Sequence, residues 1–99
     1  MGRDIYVEYG HFDYYGSKSS DLIMAFDRFF CEFPQYVAGD AIYYETKLSK
    51  EEMGQALEFI KEDISLNSKL YRHADELLER MNNVYTNMMP NDFVEIWTC

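Results

Sequence analysis

Cysteine is scarce in this chain, two residues in 99, with Cys31 inside an apolar segment and Cys99 far from it in sequence. Two thiols so placed make no framework of paired bridges, so both are expected to be reduced. Proline is equally rare, and the five glycines are scattered at positions 2, 10, 16, 39 and 54. No glycine-rich phosphate loop, interdomain linker, internal repeat or low-complexity tract can be built from them. His-Glu-x-x-His, Gly-x-Ser-x-Gly and paired-cysteine motifs are also missing, which argues against the common metallohydrolase and acyl-transfer chemistries. No apolar run approaches the roughly 18 residues that span a bilayer, and Met1-Gly2-Arg3-Asp4 lacks the apolar stretch of a signal peptide. An N-myristoylation pattern fails at Tyr6, where Ser or Thr is wanted. A cytoplasmic chain without a membrane partner is the expectation.

Positive charge is the other shortage. Nine Lys and Arg face 18 Asp and Glu, for a net charge of −9. A field of that sign repels nucleic acid and anionic lipid, so direct binding to either is not expected, whereas a basic protein partner would be attracted. The charge is spread evenly: residues 1–48 carry eight acids and four bases, residues 49–99 ten and five. Apolar residues make up 47% of the chain, far too many for a charge-rich disordered segment, and the length suits one domain with one core over residues 1–99.

Hydrophobic periodicity orders the elements. Ile5, Val7 and Tyr9 alternate with Tyr6 and Glu8, the period of a half-buried strand. Residues 11–15, bounded by Gly10 and Gly16, read as a loop or short extended piece. Ser19 or Ser20 then offers a helix cap, Asp21 suits the positive end of the dipole, and Ile23, Phe26, Phe30 and Phe33 recur at helical spacing up to Pro34. Residues 41–48 could extend a helix from Gln35, but their alternation and β-branched and aromatic content favour a strand. Ser49 with Glu52 forms a capping-box pattern ahead of a stripe of Met53, Ala56, Leu57, Ile60 and Ile64. After the break at 65–68, Leu70, Ala74, Leu77, Met81, Val84 and Met88 predict a helix about 20 residues long, widened by Tyr71, Leu78 and Tyr85. Phe93-Val94-Glu95-Ile96-Trp97 closes the series as a strand with a central or covered position. The fold class is α+β in the order β-α-β-α-α-β: a two- or three-stranded sheet against one helix and an antiparallel helical hairpin.

Candidate chemistry is thin. His11, Asp13, His73 and Asp75 are metal-ligand types, but the two pairs stand 60 residues apart and a helical i,i+2 pair diverges, so no metal or cofactor is expected. Cys31 as a nucleophile would need a thiolate-stabilising environment, and in Phe29-Phe30-Cys31-Glu32-Phe33 a core thiol fits better. Glu58 and Glu62 could do acid-base work only if something shifted them, and on a solvated helix face nothing would. The chain is not read as an enzyme.

Two surface features remain. Glu51, Glu58 and Glu62 line the outer face of the second helix, and Asp75, Glu76 and Glu79 that of the third, with like charges at i,i+4 that mildly oppose helix formation. Twelve of the 17 aromatics lie in residues 1–48, and Tyr14, Tyr15, Tyr36 and Tyr43 are candidates for a contact surface. The function these residues suggest is non-catalytic protein binding, most concretely an inhibitor that imitates a phosphate array and occupies a nucleic-acid-binding protein's basic groove. Small acidic proteins of mobile elements that disarm host defence nucleases are similar in composition. The alternative is a self-associating structural or regulatory homodimer, using the third helix's stripe or the aromatic sheet face.

Overall fold

The structure, a computed structural model, describes residues 5–9, 12–15, 20–39 and 44–98. Its elements are β1 (Ile5–Tyr9), β2 (Phe12–Tyr15), α1 (Ser20–Glu32), a one-turn 3-10 helix (Pro34–Tyr36), β3 (Ala38–Gly39), β4 (Tyr44–Ser49), α2 (Lys50–Leu66), a second one-turn 3-10 helix (Ser68–Leu70), α3 (Ala74–Asn87) and β5 (Phe93–Thr98). The strands form one antiparallel sheet in the order β2-β1-β5-β4-β3. The three expected strands β1, β5 and β4 make its centre, and two short pieces, β2 and β3, extend its edges. The α+β class and the order β-α-β-α-α-β therefore hold, with β5 in the central position.

Each strand's period-2 pattern decides which side the helices cover. Ile5 and Val7 of β1, Val94 and Ile96 of β5, and Tyr44 and Leu48 of β4 are buried in one core with Phe26, Phe29, Met53, Leu57, Ile60, Leu77, Met81 and Val84 from the three helices. On the other side of the sheet Glu45 and Lys47 are exposed, and Tyr6 and Trp97 are stacked at 5.3 Å.

Helix α1 stops where its sequence says it must. Phe33, ahead of Pro34, leaves helical geometry (φ −126°, ψ 68°), as steric conflict with the proline ring requires. Phe30 meets Tyr44 of β4 edge-on at 4.9 Å, while Phe29, about 100° away around the axis, meets Phe59 of α2 at 5.6 Å. The helix is thus covered on two sides, and both rings are buried. Each fully buried phenylalanine contributes about 1.5–3 kcal/mol, more than any surface ion pair here can. Cys31 corrects the expectation of a core thiol. It lies one step past Phe30, off the inward arc set by residues 22, 25, 26, 29 and 30, and is exposed.

The capping box at α2 is fully formed. Ser49 Oγ accepts the Glu52 N–H at 3.2 Å, and the Ser49 N–H donates to Glu52 Oε1 at 2.9 Å. Helix α3 is shorter than predicted, 14 residues rather than about 20. Tyr71 is drawn into the core in extended conformation (φ −107°, ψ 135°), which ends the 3-10 turn and leaves Leu70 46% exposed. Buried Asp21 then accepts the N–H groups of Arg72 and His73 immediately before α3 starts.

Candidate acidic and aromatic surface

The carboxylates divide into those that hold the fold and those left on its surface. Asp21 and Asp63 are buried at 3% and 7% exposure. Asp63 sits on the apolar side of α2, three residues beyond Ile60, and is satisfied from four directions. Arg28 donates to both its oxygens at 2.8 Å, Asn67 Nδ2 donates at 3.0 Å, and the Tyr71 hydroxyl donates to Oδ2. The Arg28 hydrogen bonds hold the Asp63 carboxyl below its ordinary range against the opposing cost of burial. Burial, reinforced by Asp63, pushes the Tyr71 phenol up. At the other end of α3, Tyr9 donates to the carbonyl oxygen of Asn87 at 2.6 Å and to the Asp92 carboxylate, which also accepts the Met89 N–H at 2.9 Å. The Tyr9 hydroxyl is the main reason Asp92 is held low, and Asp92 in turn raises Tyr9.

The six acids singled out from sequence, Glu51, Glu58, Glu62, Asp75, Glu76 and Glu79, are all exposed. Glu58 contacts Lys61 at 3.7 Å and Glu76 contacts Arg80 at 3.0 Å; the other four form no ion pair among the described residues. They do not share one lining. Glu51 and Glu58 edge a groove between α2 and α3, opposite Asn82 and Tyr85. Here Gly54 allows the Tyr85 ring to approach: a Cβ at that position would stand 3.0 Å from Tyr85 Cε1. Lys50 lies over the same ring at 4.8 Å and donates to the Met88 carbonyl oxygen at 2.7 Å, tying the two helices together. Glu58 and Glu62 edge a second groove, with Phe33 and Phe59. Asp75 and Glu76 flank a depression at the start of α3, beside Tyr71, Arg72 and His73.

Of the aromatic candidates, Tyr36 is half-buried and its hydroxyl donates to Gln55 Oε1 at 2.6 Å, which attaches it to the acidic row of α2. Tyr14 and Tyr15 belong to edge strand β2, and the register sets Tyr15 opposite Tyr6. Tyr43, His11 and the side chains of Tyr14 and Tyr15 lie outside the described residues. Phe59 is a further surface ring outside the six acids and four tyrosines, and its signal in the sequence is its place in a polar row, since Gln55, Glu58, Phe59 and Glu62 fall at i, i+3, i+4 and i+7. Acids also lie on the open sheet face, outside the six on the helices: Glu8 pairs in register with Glu95, and Glu95 meets Lys47 at 3.5 Å.

The third helix's stripe is not a free surface. Leu77, Met81, Val84 and Met88 are buried in the core, which removes the basis for a homodimer through that stripe. Among the described residues no three His, Cys, Asp or Glu side chains group as metal ligands, and no helix is long and apolar enough to cross a membrane. The molecule is thus an α+β fold with an acidic helical side and a partly aromatic open sheet face. No protein-family model, curated protein or solved structure matches the chain.

Proposed function

We propose that this chain is a non-catalytic protein-binding domain whose acidic helical side occupies the basic, nucleic-acid-binding surface of a partner protein, as an inhibitor of mobile-element anti-defence type would. The observation that supports the reading is the exposure of all six carboxylates on the outer sides of α2 and α3, with two offset by a neighbouring cation. Such an array raises the local concentration of a cationic partner and speeds encounter. Glu58 and Glu62, one helical turn apart, lie about 6 Å from each other along the axis, a regular anionic spacing on a rigid element. Competition with nucleic acid then follows from shared charge and not from shared shape.

The test is capture from lysate of the native host on immobilised chain, at low salt and at about 0.5 M, where screening shrinks to a few ångströms. Retained proteins should bind nucleic acid, elute with salt or with excess duplex DNA or RNA, and be lost when Glu58, Glu62, Asp75 and Glu79 are together replaced by Lys in a chain that still folds. Retention that ignores salt, competitor and the four replacements would overturn the reading. Recovery of the chain's own copies under all conditions would favour self-association through the open sheet face, which carries the Tyr6–Trp97 stack and, at the other end of β5, Phe93 at 57% exposure.

A further inference from the structure

Four aromatic rings converge where the end of α1, the turn after it and the middle of α2 meet. Phe29 is buried at the base, with ring centroids 5.2 Å from Phe33, 5.6 Å from Phe59 and 5.8 Å from Tyr36. Phe33 and Phe59 stand nearly perpendicular, at 6.1 Å and 83°, and both are half-buried. They floor an open groove of about 500 Å³ whose rim is Gln55, Glu58, Lys61 and Glu62.

The chemistry of that lining selects its occupant. A neutral apolar group would desolvate two carboxylates without pairing them, and an anion would be repelled. A cation satisfies the carboxylates and is also attracted to the ring faces. Between the two protein cations, the guanidinium is planar, weakly hydrated, stacks on aromatic rings and offers several N–H donors in a fixed fork, whereas an ammonium is a compact, strongly hydrated point charge. Lys61 does not fill the role itself: it contacts Glu58 from the rim at 3.7 Å and is 48% exposed, a contact a guanidinium would outcompete.

We infer that the groove between Phe33, Phe59, Glu58 and Glu62 receives an arginine side chain of the basic partner. The guanidinium lies against the rings, its N–H groups donate to the two carboxylates, and its aliphatic stem covers apolar ring surface. This rests on the acidic-surface reading above and adds a site that distinguishes arginine from lysine to a surface that otherwise counts only charge.

Octa-arginine and octa-lysine peptides, equal in charge, separate the two claims when titrated into the full chain at about 0.1 M salt while the aromatic side-chain resonances are followed by NMR. The arginine peptide should bind about two- to fivefold more tightly and shift the Phe33 and Phe59 ring signals. Phe59→Leu should weaken the arginine peptide more than the lysine peptide and so remove the preference, while Glu58→Gln with Glu62→Gln should weaken both. Equal affinities with unmoved ring signals overturn the groove assignment and leave the acidic-surface reading standing. Failure of both peptides to bind overturns both. The wild-type comparison needs no substitution, so a poorly folded Phe59 variant would not rescue the idea.

Discussion

At the scale of single residues, the two buried aspartates show how an acidic chain can use carboxylates internally. Asp63 is tolerated in the core because every lone-pair direction has a donor, and Asp21 because two backbone N–H groups converge on it. Removing charge from a buried, multiply bonded carboxylate leaves its donors without an ionised acceptor. Asp63→Asn should therefore lower stability by about 1–3 kcal/mol, read from urea unfolding at pH 7. The pH dependence follows from the sign of the shift. A folded-state pKa below the unfolded value near 3.9 means that the contribution of Asp63 is complete above that value and is lost as pH falls through the folded pKa. Between pH 5 and pH 3 the wild type should lose stability more steeply than Asp63→Asn. Parallel slopes would show that Asp63 is not the group responsible.

At the scale of elements, the most legible features were those whose cause is local. Pro34 ends α1, Ser49 and Glu52 start α2, and the alternation in β4 sets Tyr44, Thr46 and Leu48 inward. Because the Ser49 hydroxyl satisfies one otherwise orphaned N–H at the start of a 17-residue helix, Ser49→Ala should cost about 0.5–2 kcal/mol. Thermal unfolding of the variant should show a lowered midpoint with the same cooperativity. An unchanged midpoint would mean that Glu52 alone suffices at this end. What the sequence left hidden was non-local. The start of α3 depends on Asp21, 51 positions before the Arg72 N–H it accepts, and no periodicity reports that. The apolar spacing from Leu70 onward continued the helical pattern through Tyr71 although Tyr71 belongs to the Asp63 network. The acidic rows on α2 and α3 were readable for the same reason the capping box was, since helical spacing alone fixes the face. The aromatic floor beside Glu58 and Glu62 was not, because Phe33 and Phe59 meet only when α1 packs on α2.

At the scale of the whole molecule, the strand order makes β5 the element on which the sheet depends. It pairs with β1 on one side, from Glu8↔Glu95 to Ile5↔Thr98, and with β4 on the other, from Ser49↔Phe93 to Glu45↔Trp97. Without it the sheet would separate into a β1–β2 pair and a β3–β4 pair, each too small to be stable alone. The same arrangement leaves β2 and β3 as short edges, four and two residues long, each bonded on one side. Opening free energies should therefore be graded across the sheet. Amides of Val94, Glu95 and Ile96 should exchange with solvent only through global unfolding, with protection equal to the stability measured by denaturant, whereas those of β2 and β3 should exchange through local opening and be protected far less. Hydrogen exchange resolved by residue is the measurement. Protection in β5 no greater than that in β2 would show that the terminal hairpins, and not the central strand, hold the sheet together.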